Sequence, residues 1–537
     1  MTTTKLSRAS LSWLALASLL GCGGDVAAVI DGGSDAFVEP PAEVDLGPLG
    51  IVRGAREDGY QEFLGIPYAE PPVGELRWRA PVPHAGWDGA LEAMTAPPAC
   101  AQSALGLTSS DVEDCLFLNV HTPDPRPEGA PVMVWIHGGA FVFGEGLQLD
   151  RGTAGDVLAQ RYGMIVVSMN YRLGAFGFLA DSALGASGNE GFEDQQLALR
   201  WVRDHIAAFG GDPAQVTIAG ESAGGISVCH HLVAPGSRGL FARAISQSGL
   251  CDSPLTPRDE AAVLASRLAM ELGCASASDP AACMREQTAM AVREAAALEG
   301  DVVALLGDSS RFGPSIDGTV IPSSFRAAVE GGEVADVPVV MGWNADEGTF
   351  FIALAEQQGT VVDEAAYRTA IDSLALSHGI EASAIEAAYP LASYDDPGAA
   401  IAAMIGHASL ACPSRRAALL LASRGIDLRV YRFEYPDAPF QLAFERPLGA
   451  FHSGEIQYVF GHPARIGRRE HLGDDLALFE AMSGYWARFV RTADPNGEGA
   501  PAWPAFAIDT EPYLAIDRVI AAREAADREA CRLWDGE

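Results

Sequence analysis

Apolar and polar positions follow two periods along this chain. Between about 131 and 249, short unbroken apolar runs alternate with stretches of helical period. Val132-Met133-Val134-Trp135-Ile136 and Met164-Ile165-Val166-Val167-Ser168-Met169 have almost no polar face, so each predicts a strand covered on both sides. Val216-Thr217-Ile218 and Ala244-Ile245-Ser246-Gln247 predict two more, and later strands are expected at 338–342 and 428–433. Asp156 to Tyr162 predicts a short helix, and Glu193 to Phe209 a longer one with Leu197, Trp201 and Ile206 on a shared face. Such alternation implies an α/β fold, a mostly parallel sheet with helices on both faces. The Ala/Glu-rich stretches at 259–300 and 363–388 predict helices packed as caps or lids beside it. No internal repeat or interdomain linker interrupts the pattern, so one large domain is expected.

The junction after the third predicted strand carries the first chemical signal. Gly220-Glu221-Ser222-Ala223-Gly224 stands where strand becomes helix. A tight turn with an idle serine would suit that spacing. So would a nucleophile, held up for attack, with the following helix pointing its positive N-terminus at a developing oxyanion. A serine hydroxyl needs a base to take its proton and a partner to orient that base. His137-Gly138-Gly139-Ala140-Phe141 follows the first strand, as an oxyanion-binding loop should. There the N–H groups of Gly139 and Ala140 would donate, with Ala223 as the third donor.

Composition narrows the partners. Of 537 residues, 36 are basic and 71 acidic, a formal charge of −35. That surface repels nucleic acid and anionic lipid, so no nucleic-acid partner is expected. Lys5 and Arg8 precede an apolar run from Leu11 to Leu20, which reads as a signal segment over residues 1–22, too short to span a membrane. Its end, Leu19-Leu20-Gly21-Cys22, resembles the lipobox of bacterial lipoproteins, which implies lipidation of Cys22; an ordinary signal peptide and plain secretion are the alternative. The acidic Gly/Pro/Ala-rich stretch at 23–47 reads as a flexible tether, and the domain is expected over 48–535. Export permits disulfides, and spacing suggests Cys100 with Cys115 and Cys274 with Cys283.

Together the stretches FLGIPYAEPPVGELRW, EDCLFLNVHTP, VWIHGGAFVFG, NYRLGAFGFL, GNEGFEDQQLALRWVRDHIAAFGGDP, VTIAGESAGG and SQSG resemble the type-B carboxylesterase family of α/β-hydrolases, which includes cholinesterases and para-nitrobenzyl esterases. The resemblance covers roughly residues 48–535 and implies an α/β-hydrolase fold and serine esterase chemistry, with no metal or cofactor. It places the acid in Asn344-Ala345-Asp346-Glu347-Gly348, with Glu347 the acid and Asp346 its nearest competitor. It places the base, His452, in HSGEIQYVFG. It also implies that Ser248 supports the acid by a hydrogen bond, that Cys412 pairs with Cys531, and that Arg77 and Glu113 pin the first disulfide loop. Cys229 and Cys251 are left over, either paired or free. His230 and His231 read as packing or surface residues, and His137 as a group that shapes the oxyanion loop.

The chain departs from the cholinesterase pattern. The Cys100–Cys115 loop holds no aromatic residue and no tryptophan follows SQSG, so a cation–π site for quaternary ammonium is largely missing. Phe350 and Phe351 match gorge aromatics and would line an apolar acyl or alcohol pocket. Upstream of GPSIDG stand Asp308, Ser309, Ser310 and Arg311 instead of a bulky aromatic pair, which implies an open or polar acyl pocket. The expected activity is hydrolysis of small or medium carboxylic esters. A specialised hydrolase of carbamates, lactones or complex natural esters, and a non-catalytic binding module on the same fold, are the competing readings.

Overall fold

The computed structural model describes residues 40–104, 108–148, 152–296, 312–439, 444–462 and 473–536. Thirteen strands form its main sheet. They are β1 (Ala42–Asp45), β2 (Ile51–Glu57), β3 (Tyr60–Pro67), β4 (Ala90–Glu92), β5 (Phe117–Pro123), β6 (Ala130–Ile136), β7 (Ile165–Met169), β8 (Gly211–Glu221), β9 (Arg243–Gln247), β10 (Val339–Asn344), β11 (Leu428–Phe433), β12 (Pro512–Ile516) and β13 (Ala521–Glu524). Their spatial order is β1-β2-β3-β5-β7-β6-β8-β9-β10-β11-β12-β13, with β4 beside β2. From β7 to β12 every neighbouring pair is parallel, and the path from β1 to β7 and the β12–β13 pair are antiparallel.

The parallel strands are where the unbroken apolar runs lie. Every residue of β6, β7 and β10 is buried, as a sheet covered on both faces demands. Successive side chains still point opposite ways. Val132, Val134 and Ile136 therefore join a core with Trp201, Val202 and Leu232 on one face. Met133 and Trp135 join a second core with Phe460, Met482 and Trp486 on the other. The first face is covered by α1 (Glu190–His205) and α2 (Ala223–Val233), the second by the long helix α3 (Gly473–Thr492). A third cluster, with Tyr367, Ile371, Leu410 and Trp534, sits in the helices beside the sheet.

Those outer helices break where the chain chemistry changes. The stretch expected at 259–300 is helical over Arg258–Glu271, Pro280–Glu286 and Ala289–Ala295, and residues 297–300 lie outside the described residues. That at 363–388 divides into Glu364–His378 and Ala382–Ala388, with Gly379 in the left-handed region ending the first. The tether boundary at 47 is corrected: Ala42–Asp45 already pairs antiparallel with β2, and Ala42, Val44 and Leu46 are buried. Three alternating apolar residues among acidic ones are too few to announce a strand. Residues 1–22, Cys22 and most of 23–47 lie outside the described residues.

Four disulfides close the chain on itself. Cys100–Cys115, Cys274–Cys283 and Cys412–Cys531 are paired, and so are the leftover Cys229 and Cys251. Such a set belongs to a protein of an oxidising compartment outside the cytosol. Among the described residues, no helix is long and apolar enough to cross a membrane.

Candidate active site

The turn from β8 into α2 is built from close approaches that only glycine permits. A methyl group on Gly224 would run into the Ile136 carbonyl, and one on Gly220 into the Gly224 backbone. Between them Ser222 takes φ 55° and ψ −121°, in the positive-φ region that a side chain rarely adopts. Its N–H donates to the Gln247 carbonyl at 2.9 Å and its carbonyl accepts from Ile226 at 2.8 Å. The serine is thus fixed by its backbone from both sides, and its side chain is half-buried at the helix N-terminus.

The glycine loop lies against this turn. A methyl on Gly138 would sit 3.1 Å from the Ser222 Cβ. Gly139, Ala140 and Phe141 all have positive φ, at 109°, 54° and 63°. The Gly139 carbonyl accepts from Val142 at 3.0 Å and from Phe143 at 3.1 Å, while the N–H groups of Gly139 and Ala140 have no acceptor among the described residues. Ala223, at the first position of α2, likewise donates to no earlier carbonyl in its helix. His137 is buried and stacked on Tyr171, with ring centroids 4.3 Å apart, and burial holds it neutral at a pKa of about 4. Gln102, inside the first disulfide loop, grips Gly144 by donating to its carbonyl at 2.9 Å and accepting from its N–H at 2.8 Å. Arg77 in turn donates to Glu113 of that loop at 2.7 Å.

The acid and histidine stretches converge from 105 residues apart. His452 Nδ1 donates to Glu347 Oε2 at 2.6 Å. Glu347 Oε1 accepts from Ser248 Oγ at 2.6 Å and from the Asn344 N–H at 2.8 Å. Asp346, its competitor, faces away and accepts from the Ala450 N–H at 2.9 Å. On the other side of the ring, His452 Nε2 lies 3.2 Å from Glu221 Oε1, which also accepts from Ser453 Oγ at 2.8 Å. The Ser222 hydroxyl itself has no hydrogen-bond partner among the described residues.

Two acidic residues here lie within the sequence motifs yet have no role that the motifs themselves announce. Glu221 is the variable residue of the glycine-serine-glycine turn. Glu455 lies three residues after His452 and accepts from Asn344 Nδ2 at 2.6 Å and Gln247 Nε2 at 2.9 Å. Trp486 from α3 orients Gln247 by donating to its Oε1 at 3.0 Å. Burial raises both carboxyls above their ordinary range, with His452 opposing the rise at Glu221 and Asn344 opposing it at Glu455. Burial would lower His452, but the Glu221 and Glu347 carboxylates outweigh it and hold the imidazolium up to about 9. The available signal was an acid one residue from the serine and one turn from the histidine.

The Phe351 ring lies 5.0 Å from the His452 ring, and Phe350 meets Phe351 edge-on at 5.6 Å. His231 packs between Ser237 and Gln195 and stacks on Phe192, away from the site. His230 is buried beside it. Asp308, Ser309, Ser310 and Arg311 lie outside the described residues, whereas the neighbouring Phe312 is buried. Among the described residues no cluster of three or more potential metal ligands forms.

The similarities to other proteins are of the same kind along the chain. A family model described as the carboxylesterase family matches residues 41–534. A solved structure titled PNB esterase is similar at 30% identity with a TM-score of 0.78, covering 92% of this chain and all of the other.

Proposed function

Because this chain belongs to the carboxylesterase family and is a carboxylic ester hydrolase, we propose that it is a serine esterase using Ser222, His452 and Glu347 as nucleophile, base and acid. The observation that carries the reading is the 2.6 Å bond between His452 Nδ1 and Glu347 Oε2, beside a serine at positive φ on a strand-to-helix turn. His452 takes the Ser222 proton as Oγ attacks the ester carbonyl. The N–H groups of Gly139, Ala140 and Ala223 receive the oxyanion, helped by the N-terminal dipole of α2. His452 then protonates the leaving alcohol, and an acyl-Ser222 intermediate remains. Water, deprotonated by His452, releases the acid. Glu347 stays ionised throughout and steadies the imidazolium.

For the first step His452 Nε2 must exchange its neighbour Glu221 for Ser222 Oγ, a tightening that substrate binding commonly brings. Phe350 and Phe351 form an apolar wall against which an acyl or alcohol group packs. The substrates are small or medium carboxylic esters. We also place the enzyme outside the cytoplasm, held at the cell envelope by a lipid on Cys22.

Hydrolysis of para-nitrophenyl esters, from acetate to long acyl chains, tests the chemistry. Ser222→Ala is expected to lower kcat by about 10⁴-fold or more. A folded Ser222→Ala protein with wild-type activity would sink the assignment. Cys22→Ala should release activity from the membrane fraction; retention would remove the anchor.

A further inference from the structure

The Cys229–Cys251 bridge lies outside the three disulfides that the family resemblance accounts for, and it sits directly behind the site. Cys229 is on α2, two turns after Ser222, and Cys251 ends the short turn that follows β9. Both are fully buried, at 0% and 1% exposure, so neither serves the surface.

The turn between β9 and Cys251 touches both halves of the candidate triad. At its start the Gln247 carbonyl accepts the Ser222 N–H at 2.9 Å. One residue on, Ser248 Oγ donates to Glu347 Oε1 at 2.6 Å, and the Ser248 N–H donates to the Gly342 carbonyl at 2.8 Å. A methyl on Gly249 would stand 2.8 Å from the Gly225 carbonyl carbon, so the turn presses on the first turn of α2. Ser246 Oγ seals that contact by donating to the Gly225 carbonyl at 3.0 Å.

This turn is also held in an unfavourable backbone state. Ser248 has φ 48° and Leu250 φ 42°, both non-glycine residues in the left-handed region. Such residues persist only where surrounding structure over-determines them. Hydrogen bonds fix the start of the turn at Ser248. The far end, past Leu250, is tied to α2 by the covalent bond at Cys251, while the following Asp252 accepts from Arg416 Nε at 3.0 Å and from Arg326, which anchor it away from α2.

We propose that the Cys229–Cys251 disulfide is a positioning clamp for the esterase reaction: it holds the strained turn 248–250 against α2, so that Ser248 delivers its hydrogen bond to Glu347 in register with Ser222. The proposal rests on the assignment of Ser222, His452 and Glu347 made above. It makes the bridge act through Ser248 and not through general stability.

A double-mutant cycle separates these roles. Cys229→Ala/Cys251→Ala and the volume-retaining Cys229→Val/Cys251→Ala are each made with and without Ser248→Ala. The readouts are kcat and KM for para-nitrophenyl acetate, with a thermal melt to confirm folding at the assay temperature. Loss of the bridge is expected to lower kcat about tenfold with KM within about twofold, a loss confined to the reaction step. In the Ser248→Ala background the same change should lower kcat less than about twofold. An equal loss in both backgrounds would make the bridge a general stabiliser and overturn the proposal. So would unchanged kcat in the bridge-free enzyme, or failure of both bridge-free variants to fold. Full activity of Ser222→Ala, in contrast, would remove the triad assignment whatever the cycle shows.

Discussion

Replacing Glu221 by Gln should shift the pH dependence of hydrolysis toward acid. His452 is the general base only when neutral, and its folded pKa is raised from 6.5 to about 9. The base is therefore fully available only above about 9 and is lost as pH falls through that value. The lift corresponds to about 3 kcal/mol, taking about 1.4 kcal/mol per pH unit. The charge of Glu221 is the largest single raising cause, ahead of the charge of Glu347, which adds its hydrogen bond, and of Glu455, and burial works against all of them. At the 3.2 Å separation of Nε2 and Oε1, unit charges interact by about 5 kcal/mol at an effective dielectric near 20, an upper bound. The net lift falls short of that bound, because burial disfavours the charged form of both partners. Removing its charge should move the limb of kcat/KM by about one to two pH units toward acid. The assay is kcat/KM for para-nitrophenyl acetate from about pH 5 to 10, with Ser222→Ala as the blank. Wild type should climb toward an alkaline plateau and Glu221→Gln should reach its plateau earlier. An unmoved limb in a folded Glu221→Gln protein would refute the electrostatic reasoning, since Glu221 Oε1 lies only 3.2 Å from Nε2.

Two further substitutions test the frame around the site. Gly224→Ala drives a methyl into the Ile136 carbonyl at the start of α2. It should cost about 1–3 kcal/mol in urea unfolding and depress activity with it; an unchanged midpoint would show that the turn can open. The disulfides should differ in worth by the loops they close. Cys412–Cys531 spans 119 residues and Cys274–Cys283 spans 9. Chain entropy assigns about 5 kcal/mol to the first and about 3 kcal/mol to the second. Paired Cys→Ala variants followed by thermal melts check the order, and a larger loss from the short loop would contradict it.

Local chemistry determined a large part of this protein. The unbroken apolar runs of β6 and β7 announce a doubly covered parallel sheet because a strand buried on both faces has no polar side to show. Ser222 and the 137–141 loop are legible for a similar reason: the glycines that allow their close approaches are contiguous with the residues they serve. Glu347 and His452 carry no such local signature, and only resemblance to a family pattern singles them out from other acids and histidines. Three alternating residues in β1 were too few to read as a strand.

What lay beyond the sequence is what depends on residues far apart meeting in space. Glu221 and Ser453 are 232 residues apart, and nothing local shows that they share a hydrogen bond beneath His452. Glu455 becomes part of the site only because β9, β10 and α3 bring Gln247, Asn344 and Trp486 to one place. The pairing of Cys229 with Cys251 was open in the sequence and was decided by the packing of α2 against the turn after β9. Charge and pKa follow the same division. An isolated glutamate or histidine has one ordinary value, and only the three carboxylates that the fold brings around His452 raise it, against the effect of burial.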